Sequence, residues 1–258
     1  MPLWLRQKND KIEKGGEPNF LTRNKTSLWG SLEEAIALYG SYKLIPKEVK
    51  EKLVCHYRHA EIKEALVESS SGKCAFCECI PSEGGNVEVE HFKPKSKYPN
   101  FTYEWENLLP ACRRCNGSKD DHDTELEPIV NPYLQNPSDF FFYESLNIKP
   151  IIGENYEVAV RTIDVCGLNT IRLWKPRSQI LVSLHDFEQS LEAALESFYL
   201  ADTNRKKANR KRAIGEALSR IEELSKSAEK YSAFCGFFLR ESEIYMQAKL
   251  LIENDSLD

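Results

Sequence analysis

The sequence predicts a chain of the α+β class, mainly α-helical, with one small irregular module set into the helical body. Three observations predict it. Helical periodicity dominates both ends of the 258 residues. Residues 73–123 break that period with two Cys-x-x-Cys pairs, Gly84-Gly85 and an alternating strand, and "DFFFYESLNIKPII" at 139–152 alternates as a hairpin does. The hydrophobic fraction of 41% and charged fraction of 29% are those of an ordinary soluble globular chain. A net charge of -5 excludes a protein that coats nucleic acid with its whole surface, but leaves room for a local basic patch.

Each element has its own signal. In "SLEEAIALYG", Ser31 and Glu34 form a capping box and Gly40 is a stop. A second helix is expected from Pro46, and "HAEIKEALVESSSG" reads as a third, ending at the serine-glycine breaker of 69–72. The hairpin turn is expected at Ser145-Leu146-Asn147, and a helix through "EVAVRTIDVCGLN" stops at Gly167. From Arg177 onward the pattern is helical, broken near Asp202-Thr203-Asn204 and near Ser225. Four regions follow: helical 1–72, the module at 73–123, a hairpin and helix packing on it at 124–176, and helical 177–258. The N-terminal "MPLWLRQKNDKIEKGG" has no apolar run long enough for a signal peptide, and no window offers an uncharged membrane span, so a cytoplasmic location is expected. There, eight cysteines read as thiols or metal ligands rather than as a disulfide framework.

Cys74 with Cys77, and Cys112 with Cys115, supply four thiolates from two tight turns, which suits tetrahedral zinc in a closed structural site. Such a site would contribute on the order of 10 kcal/mol to a segment with little core of its own. A redox role for one pair is the competing reading, weakened by the presence of two pairs flanking one strand. Cys55, Cys166 and Cys235 lie in apolar helical patterns and read as buried thiols, and Cys79 stands too close to Cys77 for the usual knuckle.

Between the pairs lie Glu90-His91, then Asn107, then Asn116. An imidazole that titrates near neutral pH can take a proton from water, so His91 is the candidate general base. Glu90 and Asn116 offer hard oxygens, which suit Mg²⁺ or Mn²⁺ that keeps waters and binds a substrate phosphate. Lys93, Lys95, Lys97, Arg113, Arg114 and Lys119 surround them as a candidate phosphate-binding patch. Other features read more plainly: "NRKKANRKR" at 204–212 as the solvated start of a helix, with a clamp for nucleic acid or a partner as the alternative, His122 and Asp123 as surface residues, and His56 and His59 as helix residues.

The segments "GGNVEVEHFKPKS" and "EWENLLPACRRCNGSK", with the cysteine pairs, resemble the HNH endonuclease family and its ββα-metal fold. The resemblance implies phosphodiester hydrolysis and makes Asn107 a loop brace that orients His91. Two positions depart from the commonest motif: Glu90 stands where Asp is usual, and Asn116 where histidine is. The alternative function is a catalytically inactive zinc module that binds nucleic acid or a partner. Beyond the motif, "YRHAEIKEALVESSSGKCAFCE" and "EPIVNPYLQNPSDFFFYE" are similar to the nuclease subunits of Septu anti-phage systems and related retron cassettes. That similarity implies an ABC/SMC-like ATPase partner, a nuclease restrained until infection, and a C-terminal helical docking surface. DNA is the family's default substrate, and RNA shares the same phosphodiester chemistry.

Overall fold

Apolar residues at Leu21, Leu28, Leu32 and Ala35 keep one helical stripe through the N-terminal region, and the chain follows it as α1 (Asn19–Tyr39). This computed structural model describes residues 16–253, so nearly all of the "MPLWLRQKNDKIEKGG" stretch lies outside the described residues. The helix begins at Asn19 rather than at the capping box expected at Ser31, because burial of Leu21 and Leu32 extends it past that local signal. Gly40 ends it at φ 84°, a conformation that suits glycine. Pro46 precedes α2 (Lys47–Val54), a 3₁₀ turn at Cys55–Arg58 follows, and α3 (Ala60–Ser69) ends where Ser71 and Gly72 take positive φ.

The module consists of β1 (Glu88–His91) and β2 (Leu108–Ala111), paired antiparallel with Glu90 opposite Leu109 and His91 opposite Leu108, and then α4 (Arg113–Lys119). Strand alternation gives the hairpin two working faces. Val89 and Leu108 join a core with Leu21, Leu32, Tyr57, Ile62 and Leu66 of the N-terminal helices. Leu109 and Ala111 face the other way, into a core with the four paired cysteines, Ile129, Val130, Ile163, Leu173 and Phe234. The module is therefore clamped between two hydrophobic bodies.

The second hairpin pairs β3 (Phe141–Glu144) with β4 (Asn147–Pro150) around a two-residue turn, so Asn147 is a strand residue opposite Glu144 rather than part of the turn. After α5 (Tyr156–Val165), Gly167 turns at φ 62°, where a Cβ would meet the Ser118 hydroxyl at 3.2 Å. The long helix α6 (Ile171–Tyr199) then runs straight through Pro176, so the region boundary expected at 176/177 falls inside one helix. Pro176 lies in its second turn and removes a single backbone bond there. With α7 (Asn204–Glu223), α8 (Ser232–Glu241) and α9 (Glu243–Glu253), α6 forms a bundle around Leu184, Leu191, Leu195, Ile214, Leu218, Leu239 and Tyr245. Glu78 of the first cysteine turn seats this bundle: its carboxylate accepts from Ala233 N at 3.1 Å and from the Ser232 hydroxyl at 3.0 Å, at the N-terminal end of α8. The architecture is thus α+β and mainly helical, with the small module embedded in it. No helix among the described residues is long and apolar enough to cross a membrane.

Candidate active site and metal centre

The cysteine frame forms because the β2 exit and the turn after α3 face each other: Ala75 N donates to the Pro110 carbonyl at 2.9 Å. The ligand atoms of Cys74, Cys77, Cys112 and Cys115 all lie within 4.8 Å of one another, and the Cys77 and Cys112 sulfurs are 3.8 Å apart. Tetrahedral zinc with bonds of about 2.3 Å puts its sulfurs about 3.8 Å apart, so the donor set and spacing fit that ion. Burial pushes the Cys74 thiol up, which means that a cation is needed to keep it a thiolate. One cation comes from an unexpected quarter: Arg172, in the first turn of α6, donates to Cys115 Sγ at 3.2 Å and to Cys77 Sγ at 3.9 Å. Burial opposes its charge, but the Cys77, Cys115 and Cys112 thiolates outweigh that and hold the guanidinium above its ordinary value.

On the outer edge of the module, β1 sends Glu88 and Glu90 to one face and His91 to the other. The Glu88 and Glu90 face meets α4, where Asn116 and Lys119 lie one turn apart. Asn116 Nδ2 donates to Glu88 Oε2 at 2.7 Å, and Lys119 Nζ donates to Glu90 Oε1 at 2.6 Å and to the His91 carbonyl at 2.9 Å. The expectation of Lys119 in a surface phosphate patch is therefore corrected. Its ammonium is 0% exposed because the helical spacing that turns Asn116 toward the sheet turns Lys119 the same way. Burial pushes the Glu90 carboxyl above its ordinary value even against Lys119. Glu88, which the sequence reading passed over, stands two residues before Glu90 on the same strand face. Two carboxylates and one amide form a hard-oxygen set that fits a small divalent cation by donor chemistry, with the Lys119 ammonium on one of those oxygens.

His91 lies on the opposite face, 3% exposed. Its Nε2 N–H donates to the Thr102 carbonyl at 3.0 Å, which leaves Nδ1 carrying the lone pair. The Tyr57 ring stands edge-on to the imidazole at 4.6 Å, and Lys95 lies over Tyr57 at 5.2 Å. Burial, with Lys95 adding to it, pushes the imidazole down to about 3. Asn107 bridges the loop between the strands: its Oδ1 accepts from Lys93 N at 2.7 Å, and its Nδ2 donates to the Lys93 and Phe101 carbonyls, both at 3.0 Å. Of the basic residues, Arg113 and Arg114 are exposed, Lys93 pairs with Glu125 at 3.0 Å, and Lys97 lies 3.8 Å from Asp123. His59 caps α3, accepting from Glu61 N at 3.3 Å, and His122 bonds the Glu127 carbonyl at 2.8 Å.

Residues 74–122, which span the four-cysteine frame, the hairpin with its tethered imidazole and the short helix, match the family model for HNH endonucleases. The wider chain resembles the Septu protein PtuB of Bacillus thuringiensis, with 44% identity over 144 residues that cover 54% of this chain and 53% of that protein. A Septu protein PtuB of Bacillus mycoides (strain KBAB4) is 34% identical over 88 residues, 29% of each chain. Protein ea31 of Escherichia phage lambda is 37% identical over 82 residues, covering 31% of this chain and 26% of that one. The chain spans about half the length, or less, of the curated relatives it matches.

Proposed function

We propose that this chain is a metal-dependent endonuclease that hydrolyses phosphodiester bonds of nucleic acid, DNA in the first place, as the nuclease of a Septu- or retron-type defence system. The HNH family match and the similarity to proteins named PtuB support this reading. In it, Cys74, Cys77, Cys112 and Cys115 hold structural zinc, and Glu90 and Asn116, with Glu88 beside them, hold Mg²⁺ or Mn²⁺. The helical C-terminal region of 177–258 docks an ABC/SMC-like, PtuA-like ATPase, and the protein works in the cytoplasm. The regions 1–72, 73–123 and 124–176 serve as helical cover, nuclease module and packing support.

The observation that carries the reading is the tether of His91 Nε2 to the Thr102 carbonyl, because it orients the ring and leaves Nδ1 free to accept a proton. When bound, the divalent cation supplies charge stabilisation to the phosphate and the leaving oxygen. The water oxygen bonds to phosphorus, the water proton passes to Nδ1, and the bond from phosphorus to the leaving oxygen breaks. An imidazole held near 3 is a weak base, and the negative charge of an approaching phosphate raises it toward useful basicity. Asn107 keeps the Lys93 loop closed around the ring, while Lys93, Lys95, Lys97, Arg113 and Arg114 line the approach for phosphates.

The burial of His91 and the Glu90–Lys119 pair favour one second reading, a non-catalytic zinc module that binds nucleic acid or a partner. Cleavage of supercoiled plasmid with Mg²⁺ or Mn²⁺ separates the two, using wild type and His91→Ala at equal zinc content. Loss of a positioned base should slow nicking by a factor on the order of 10² to 10⁴. Equal nicking by both removes His91 from its role. Silence of the wild type on DNA and on RNA, even with an ATPase partner added, establishes the second reading.

A further inference from the structure

The α6–α7 tip lies at the opposite end of α6 from the cysteine frame and has a composition unlike the rest of this acidic chain. Residues 203–212 hold Arg205, Lys206, Lys207, Arg210, Lys211 and Arg212 and no acid. Nothing from Asn204 to Ala213 is buried; the first buried side chain of α7 is Ile214. The leading turns of α7 therefore bury no apolar side chain of their own. Their cations are also placed against the helix dipole, since Arg205, Lys206 and Lys207 occupy the first turn, where acids are favoured.

Some of that charge is answered within the chain. Lys206 pairs with Asp202 at 2.8 Å, Arg212 lies 3.8 Å from Glu216, and Arg210 donates to the Ser197 carbonyl at the end of α6. Arg205 and Lys207 are exposed and meet no acidic side chain among the described residues. At the end of α6, Tyr199 and Leu200 are 64% and 83% exposed. A helix start that buries no apolar side chain, opposes its own dipole and leaves cations unpaired, with an exposed tyrosine ending the preceding helix, has the chemistry of a polyphosphate contact.

We propose that the α6–α7 tip is a second nucleic-acid contact, binding the phosphate backbone away from the nuclease module through Arg205 and Lys207, with Tyr199 and Arg212 as further contacts. This inference rests on the endonuclease reading and extends it. Its geometry is set by α6, which begins at the cysteine frame through Arg172 and ends at the tip. From Arg172 to Leu200 a helix rises about 40 Å, which corresponds to about 12 base pairs of duplex. A duplex shorter than that reaches only one of the two contacts.

The test is fluorescence anisotropy on the full zinc-loaded chain without added Mg²⁺, using duplexes of about 8 and about 24 base pairs across a salt series. Arg205→Glu/Lys207→Glu should weaken binding of the long duplex by about 10-fold or more, and flatten the log Kd against log salt slope by about 2. It should weaken the short duplex far less, since that duplex can still occupy the module alone, while Arg205→Lys/Lys207→Arg behaves as wild type. Unchanged affinity and slope for the long duplex overturn the proposal. So does equal weakening at both lengths, or binding to anionic vesicles without length-dependent duplex affinity. Plasmid nicking by the wild type is followed in parallel. Nicking with no effect of the tip variant sinks the tip alone, whereas neither binding nor nicking sinks the endonuclease reading with it.

Discussion

Replacing Lys119 by methionine removes one cation from a site with almost no access to water. The ammonium is 0% exposed and its carboxylate partner 7%, and the lost bonds are those to Glu90 Oε1 at 2.6 Å and to the His91 carbonyl at 2.9 Å. The remaining carboxylate would be buried without a partner, a change that costs about 3 to 5 kcal/mol in comparable sites. For a chain of this size that lowers Tm by roughly 10 °C near neutral pH. The pH dependence has a definite sign. Burial already raises Glu90 above its ordinary 4.5, and the variant raises it further, so the folded form keeps its proton to higher pH than the unfolded form does. The deficit is therefore small below 4.5 and grows as pH rises through the folded value. Lys119→Met/Glu90→Gln should restore stability to within about 1 kcal/mol of wild type, since no unpaired charge is left. Calorimetry of the three chains at acidic and neutral pH checks this. A Lys119→Met chain as stable as wild type at neutral pH, or a double variant no better than the single, would refute the buried-pair account.

Cys112→Ser should release zinc and free the module from its frame, a loss on the order of 10 kcal/mol visible as rapid proteolysis within 74–122 and as falling zinc content. Arg172→Met should keep the helical spectrum but lose zinc to a colorimetric chelator about 10 to 100 times more readily, as changes behind metal ligands do; an unchanged release rate would remove Arg172 from the metal shell. Asn107→Ala deletes three bonds to the Lys93 loop and should cost about 3 kcal/mol, read by faster amide exchange at Lys93. His91 binds its proton at about 3 when folded and near 6.5 when unfolded, so wild-type stability should fall as pH drops through that window. His91→Gln should flatten that fall, and an equal slope in both chains would contradict the burial.

What the sequence made legible was local. The cysteine frame depends on two short spacings, and the class of the fold on periodicity that changes at 73 and again after 123. Pro46, Gly40 and Gly167 mark helix ends because their backbone preferences act within a residue or two. Ser31 misled for the converse reason: a good local cap lost to burial of Leu21 and Leu32 against α3 and the hairpin. The signals for Glu88 and Lys119 were present, since Glu88 shares a strand face with Glu90 and Lys119 a helix face with Asn116, but reading them required both phases at once. The Thr102 carbonyl, the Tyr57 edge and the Arg172 guanidinium belong to contacts between distant segments. No spacing announces those.

The position of Arg172 has a mechanical consequence. One end of α6 is held at the cysteine frame and its other end carries the tip, so the bundle packed along α6 forms a lever with its fulcrum at that frame. A turn of about 10° at the anchored end would swing a rigid arm of about 40 Å through about 7 Å at the tip. Pro176, four residues from Arg172, leaves the Arg172 carbonyl without its helical hydrogen bond close to that fulcrum. A ligand drawing the tip toward itself would thus apply its pull, much reduced in distance, to the cysteine frame that seats the β1–β2 hairpin.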